Sequence, residues 1–169
     1  MSGDAEINRR GPLFTDTLQI GIVVSDLYAT MDAYVRDYGL GPWDVYEMNP
    51  STVTEMEKDE VPNAHAMRLG VTMVGKVQWE LIEPIGDGSI YAEFLRQHGE
   101  GLHHIGVAVD SYADTVDEMH RKGHILLQAG NLQGARYAYP STDRDLKVLT
   151  EIFDFPADLA LTPDSVYPE

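Results

Sequence analysis

The sequence has no cysteine, and basic residues are scarce relative to acidic ones. Without cysteine, disulfide bonds, thiolate metal ligands and a cysteine nucleophile are all excluded. The 169 residues carry 12 Lys and Arg against 28 Asp and Glu, which gives a formal net charge of −16. Because such a charge repels phosphate backbones and anionic lipid surfaces, we predict that the protein binds neither nucleic acid nor membrane.

Long apolar runs are also missing from the sequence. No stretch approaches the roughly 20 apolar residues that cross a bilayer, and the polar N-terminus lacks the apolar segment of a signal peptide. These absences predict a cytoplasmic protein. The hydrophobic content of 43% is ordinary for a globular chain, and we expect residues 1–169 to form a single domain.

One pattern of strand, helix and glycine occurs twice along the chain. Residues 19–24 (QIGIVV) align with residues 104–109 (HIGVAV), and a predicted helix follows each run. Residues 77–82 (VQWELI) align in the same way with residues 148–153 (VLTEIF). Each half has the pattern of a β-α-β-β-β unit and is too small to close a core alone, so the two halves are expected to pack together.

The repeat predicts an α+β fold made of two paired β-α-β-β-β modules. We expect the first module at residues 17–85 and the second at residues 101–155, joined by a linker helix over residues 89–98. The acidic, turn-rich stretch at residues 48–63 is interpreted as a mobile loop and a candidate lid. The proline-containing tail, residues 156–169, is expected to be an irregular extension.

Each half places two polar residues at matching positions, Gln19 and Glu80 in the first and His104 and Glu151 in the second. Because strand side chains alternate between faces, Gln19 and His104 each share a face with a small residue two positions on, which leaves room for a ligand. A glutamate among bulky strand neighbours is costly unless it is paired or bound to a cation. A pseudo-twofold axis would bring all four side chains together, which predicts one metal site.

The predicted ligand set contains one imidazole, one amide oxygen and two carboxylates. It suits a divalent ion with open positions for water or substrate, and Zn, Mn, Co, Ni and Mg all remain candidates. The structural alternatives are a core amide at Gln19 that bonds to backbone and a satisfied core histidine at His104. For Glu80 and Glu151 the alternative is exposure at the edge of a strand.

The most specific motifs are residues 79–84 (WELIEP) and residues 99–104 (GEGLHH). Together with the repeat, they resemble the vicinal oxygen chelate (glyoxalase-like) superfamily over residues 18–153, and most closely its methylmalonyl-CoA epimerases. The resemblance implies an incomplete barrel, a homodimer, and a small-molecule carbonyl or acyl-thioester substrate.

The resemblance also implies metal ligands at Glu80, His104 and Glu151. The epimerases carry histidine where this chain has Gln19, and some glyoxalase I enzymes have glutamine there. It implies an isomerase or epimerase in which the metal stabilises an enolate formed by proton removal next to a carbonyl. We predict Glu151 as the base, Glu80 as the second choice, and His65 as the residue that returns a proton on the opposite face.

Two other functions fit the same resemblance. One is a glyoxalase-I-like lyase that acts on a thiol adduct, and the other is a metal-free protein that binds and sequesters a small molecule. A sequestering protein would have no reason to keep Glu80 and Glu151 facing inward, so the burial of these two side chains discriminates between an enzyme and a binder.

Overall fold

The computed structural model describes residues 11–169, which form one sheet of eleven strands with four helices. The helices are α1 (Leu27–Tyr38), α2 (Ile90–His98), α3 (Tyr112–Arg121) and α4 (Asp143–Leu146). The strands are β1 (Asp16–Val23), β2 (Trp43–Met48), β3 (Val53–Lys58), β4 (Val61–Pro62), β5 (Ala66–Val74), β6 (Val77–Ile85), β7 (Gly101–Ala108), β8 (Leu126–Leu132), β9 (Ala135–Pro140), β10 (Leu149–Asp154) and β11 (Ser165–Tyr167).

The strands lie in the order β11-β2-β5-β6-β1-β7-β10-β9-β8-β3-β4. The run β2-β5-β6-β1 of the first unit is mirrored by β8-β9-β10-β7 of the second, and the two units meet where β1 and β7 pair antiparallel. Within each unit the innermost pair is parallel, β1 with β6 and β7 with β10. The predicted α+β fold with two paired β-α-β-β-β units is confirmed.

Helix α1 shows how the local sequence sets an element of the repeat. The Asp26 side chain accepts the N–H of Ala29 at the start of the helix, and Gly39 ends it in the left-handed conformation at φ 65°. Leu27 and Met31 are fully buried against the sheet. None of the helices within residues 11–169 combines the length and the apolarity that a membrane span requires.

The prediction of a mobile loop and lid at residues 48–63 is wrong. This segment contains β3 and β4, and β3 pairs antiparallel with β8 at the edge of the second unit. Val53 and Met56 are buried in a core cluster and hold the segment against the rest of the protein. The strand is hard to see in the sequence because an irregularity in the pairing, with Glu55 at φ 54°, breaks the alternation of apolar and polar residues.

The prediction of an irregular tail is wrong for its last part. β11 pairs with β2, and the Tyr167 ring meets the Tyr28 ring of α1 edge-on at 5.6 Å between centroids. The two edge strands of the sheet, β11 and β4, are only 3 and 2 residues long, which limits edge-to-edge association. The module limits and the homodimer stay predictions.

Candidate metal centre

The four predicted ligands lie on four adjacent strands at the middle of the sheet. Gln19 lies on β1, Glu80 on β6, His104 on β7 and Glu151 on β10. The strand register places Gly21 of β1 beside both Glu80 and His104. None of the four side chains belongs to a residue that is more than 7% exposed, so the alternative of strand-edge exposure does not hold for the glutamates.

The donor atoms of these side chains converge on one ring nitrogen. His104 Nε2 lies 3.0 Å from Glu151 Oε2, 3.6 Å from Glu80 Oε2 and 3.3 Å from Gln19 Oε1. One donor atom from each of Glu80, His104 and Glu151 lies within 4.8 Å of the others. Side-chain atoms that each bind the same ion at about 2.0–2.2 Å are separated from one another by distances like the three given above. The geometry therefore fits one shared cation.

The charges of the cluster also fit a cation. Glu80 Oε2 and Glu151 Oε2 are buried and have no hydrogen-bond partner. Burial raises the pKa of Glu151 to about 8, and burial together with the charge of Glu151 raises the pKa of Glu80 well above its usual value. Burial lowers the pKa of His104 to about 3, so its neutral imidazole can bind a metal but cannot neutralise the carboxylates. A divalent ion would neutralise both glutamates.

Gln19 is oriented by a residue that the sequence analysis did not identify. Gln19 Nε2 donates a hydrogen bond to Gln78 Oε1 at 2.8 Å, and this fixes the amide with its oxygen toward His104. Gln78 lies beside Gln19 in the parallel register of β6 and β1. Because Gln19 bonds through its side chain to two other side chains, the alternative of a core amide that bonds to backbone is not what the structure shows.

His103 is a second residue that the sequence analysis did not place in the site. His103 Nδ1 lies 3.0 Å from His104 Nδ1, although neighbouring strand residues point to opposite faces. If His104 Nε2 binds a cation, the ring proton must be on His104 Nδ1, which then donates a hydrogen bond to His103 Nδ1. Burial and the neighbouring His104 lower the pKa of His103 to about 2, so His103 is neutral and can accept.

Replacing His103 by phenylalanine should weaken metal binding about 10- to 100-fold, the usual cost of losing a hydrogen-bond partner of a metal ligand. Phenylalanine keeps the aromatic packing that His103 makes with Tyr91 and Phe94, at 5.1 and 5.0 Å between centroids. Competition with a chromogenic chelator measures the affinity. His98→Gln, at an exposed position on α2, is the control. An unchanged affinity in His103→Phe would show that the contact does not orient His104.

Two glycines make room for the ligands themselves. A Cβ on Gly21 would lie 1.9 Å from His104 Cε1, and a Cβ on Gly106 would lie 2.7 Å from Gln19 Cβ. The sequence analysis assigned this space to a bound ligand. In the structure the His104 ring lies across β1 and the Gln19 side chain lies across β7. Each glycine therefore leaves space for the ligand residue of the other unit.

A pocket of about 350 Å³ opens from the cluster, and both glutamates and Gln19 line it. Four tyrosines also line it, and three of them, Tyr91, Tyr137 and Tyr139, lie close to one another. The Tyr91 hydroxyl donates to the Tyr139 hydroxyl at 2.7 Å, and the Tyr139 ring meets the His104 ring edge-on at 5.0 Å. These aromatic rings enclose the imidazole and keep it from bulk water.

The structure does not bring His65 to the other predicted site residues. Its ring is buried, and His65 Nδ1 lies 3.1 Å from the backbone oxygen of Asn63. His65 is not among the residues that line the pocket. Its role in proton return stays a prediction, and nothing in the geometry of the described residues supports it.

The metal-free protein is expected to lose stability as the pH rises from about 5 to about 8. The folded protein raises the pKa of Glu151 from 4.5 to about 8, so between these values the native state binds more protons than the unfolded state. The free energy of unfolding then falls with rising pH, by at most about 1.4 kcal/mol per pH unit for one carboxyl. Urea unfolding in chelator at several pH values measures the slope, which should be shallower in Glu151→Gln. A slope of the opposite sign in this window would contradict the raised pKa.

Comparison with known families adds to this geometry. Residues 18–139 match the sequence profile of the glyoxalase/bleomycin resistance protein/dioxygenase superfamily. No curated protein matches the chain.

Comparison with solved structures gives the same fold. A hypothetical protein from Bacillus halodurans C-125 is similar with a TM-score of 0.66 and 22% identity, over 86% of this chain and 98% of that one. A methylmalonyl-CoA epimerase from Mycobacterium tuberculosis has a TM-score of 0.66 and 20% identity, over 87% and 93% of the two chains. A Streptomyces coelicolor methylmalonyl-CoA epimerase in complex with 2-nitronate-propionyl-CoA has a TM-score of 0.62 and 24% identity, over 88% and 99%. At these identities the likeness concerns the fold.

Proposed function

Because the chain belongs to the glyoxalase/bleomycin resistance protein/dioxygenase superfamily, we propose that it is a metal-dependent isomerase or epimerase that moves a proton next to a carbonyl. The substrate would be a small carbonyl compound or acyl thioester. The methylmalonyl-CoA epimerases that share the fold support this choice of chemistry. The divalent ion would be held by Glu80, His104 and Glu151, with Gln19 as the fourth ligand.

The observation that carries the proposal is a pair of buried carboxylates, each with one oxygen that has no hydrogen-bond partner. Glu80 Oε2 and Glu151 Oε2 face a neutral imidazole at the inner end of a pocket. Two such groups destabilise the fold unless a bound cation compensates their charge, because a buried charge without a partner is among the costliest features of a core. A site that only sequesters an apolar ligand has no need of them.

Each residue of the cluster has a distinct part in the proposed reaction. A divalent ion, when bound, would supply a Lewis acid for the substrate's carbonyl oxygen. Glu151 accepts the α proton, because its buried carboxylate lines the inner end of the pocket in which the substrate would bind. The electron pair of the broken C–H bond moves into the carbonyl to give an enolate.

Return of the proton decides the stereochemical outcome. If Glu151 returns the proton, the configuration is kept. If Glu80 begins the turnover protonated and delivers this proton after Glu151 has taken the α proton, the configuration is inverted, and turnover in the opposite direction restores both groups. We propose this second path because the repeat relates the two carboxylates by pseudo-twofold symmetry. The aromatic rings of Tyr91 and Tyr139 keep water away from the enolate while it exists.

The test combines metal analysis with proton exchange. Purified protein is stripped with chelator and reloaded with Zn, Mn, Co, Ni or Mg, and the affinity of each is measured. Each form is then incubated in D₂O with ketones, acyl thioesters including methylmalonyl-CoA, and the methylglyoxal–glutathione adduct. We expect metal-dependent deuterium incorporation at an α carbon and its loss on chelation. A protein with no affinity for divalent ions contradicts the proposal and favours sequestration. Turnover of the thiol adduct alone would assign a lyase.

A further inference from the structure

The pocket that opens from the cluster has apolar walls. Leu69 of β5, Leu132 of β8 and Phe153 of β10 line it. Met73 and Phe155, which also line it, are 58% and 52% exposed and carry the apolar surface outward to solvent. A volume of about 350 Å³ lies at the lower end of the range of small-molecule pockets, about 300–1,000 Å³. The walls therefore favour a compact apolar group.

Besides the carboxylate oxygens of Glu80 and Glu151, one further polar group of this pocket has no hydrogen-bond partner within the described residues. Tyr137 Oη is buried and forms no hydrogen bond, and the residue is 7% exposed. The neighbouring phenols differ, because the Tyr91 hydroxyl donates to that of Tyr139. Buried polar groups in native proteins are nearly always paired, and an unpaired one destabilises the fold. An unpaired hydroxyl on a residue that lines the pocket indicates a ligand atom as its partner.

The sheet holds the Tyr137 ring in place. Gly130 lies opposite Tyr137 in the pairing of β8 with β9, and a Cβ on Gly130 would lie 2.5 Å from Tyr137 Oη. Glycine at position 130 thus lets the ring lie over β8. Burial raises the pKa of Tyr137 above its usual value, and the charges of Glu151 and Glu80 raise it further. The hydroxyl therefore keeps its proton and is available as a donor.

We propose that the pocket binds a carbonyl compound with an apolar body and that the Tyr137 hydroxyl donates a hydrogen bond to its oxygen. A carbonyl oxygen accepts hydrogen bonds and donates none, so it matches the Tyr137 hydroxyl as a donor. The choice of a carbonyl among the possible acceptors rests on the proposed function. A ligand without a polar group would leave the hydroxyl buried and unpaired, and the site would therefore select against it.

The test uses metal-free protein and two probes of similar shape. 4-Phenylbutan-2-one carries a carbonyl, and n-butylbenzene carries no acceptor. Each is titrated into the wild type and into Tyr137→Phe and followed by two-dimensional amide NMR. Both probes should shift the amides of Leu69 and Leu132. The variant should bind the ketone about fivefold more weakly, the effect of one hydrogen bond, and should bind n-butylbenzene equally well or better.

A second measurement excludes a merely structural role for the hydroxyl. Tyr137→Phe should leave the midpoint of thermal unfolding unchanged or raise it, because it removes an unpaired buried group. Tyr34→Phe, on helix α1 and outside the pocket, should leave the affinity for both probes unchanged. Failure of both probes to bind, an equal loss of both in Tyr137→Phe, or an unchanged affinity for the ketone overturns the inference. No metal takes part in this test, so its failure is distinct from a failure of the proposed function.

Discussion

Replacing Glu151 by glutamine is expected to slow α-proton exchange by about 10²- to 10⁴-fold at saturating metal, the usual contribution of a general base. Glutamine keeps the shape and one oxygen ligand of the side chain but cannot accept the proton. The fold should survive, because the change also removes a buried carboxylate that has one unpaired oxygen. At pH 8 the metal-free variant should therefore be more stable than the wild type. Deuterium incorporation and urea unfolding measure the two effects.

Glu80→Gln is the matched control for this prediction. Both variants remove one negative charge from the metal site, so both should bind the ion more weakly, and both are compared at saturating metal. If Glu80 delivers the proton from the other unit, Glu80→Gln should still exchange the α proton but should invert configuration much more slowly. A Glu151→Gln variant that exchanges protons at the wild-type rate would remove Glu151 as the base.

The repeat made the candidate site predictable from the sequence. Aligning the two halves placed Gln19 against His104 and Glu80 against Glu151, and strand alternation placed each pair on one face. These inferences are local, because they need only the periodicity of each strand and a pseudo-twofold axis. The structure brings the four side chains together as those rules require.

The elements that the sequence analysis missed depend on contacts between distant parts of the chain. β3 exists because β8 offers it an edge, and β11 exists because β2 does. Neither partner can be inferred from the residues of the short strand itself. Residue 103 is a different case. Neighbouring strand residues point to opposite faces, yet the two imidazoles are long enough for His103 Nδ1 to lie 3.0 Å from His104 Nδ1. Direction alone does not exclude a contact between long side chains.

The second large effect is expected at a residue that has no functional group in its side chain. Gly21→Ala should reduce metal affinity by more than about 100-fold, which exceeds the effect of losing a hydrogen-bond partner of a ligand. A Cβ at this position would lie 1.9 Å from His104 Cε1 and 2.4 Å from both ring nitrogens. The ring is fully buried and cannot tilt without leaving its position beside Glu151. Because the alanine forces out a ligand, the loss of affinity should resemble that of His104→Ala.

Stability separates this effect from the general cost of adding a methyl group to the sheet. Overpacking in Gly21→Ala should lower the free energy of unfolding of the metal-free protein by about 1–3 kcal/mol. Gly75→Ala places the same group in open space at a turn, where φ is +64°, so it should cost some backbone strain and leave metal affinity unchanged. Gly106→Ala should reduce metal affinity less than Gly21→Ala, because the atoms that its Cβ would meet belong to Gln19 and Phe153 and not to the His104 ring. If Gly21→Ala binds the metal with wild-type affinity, the space above β1 does not position the His104 ring. The assignment of His104 as a ligand would then lose its main structural support.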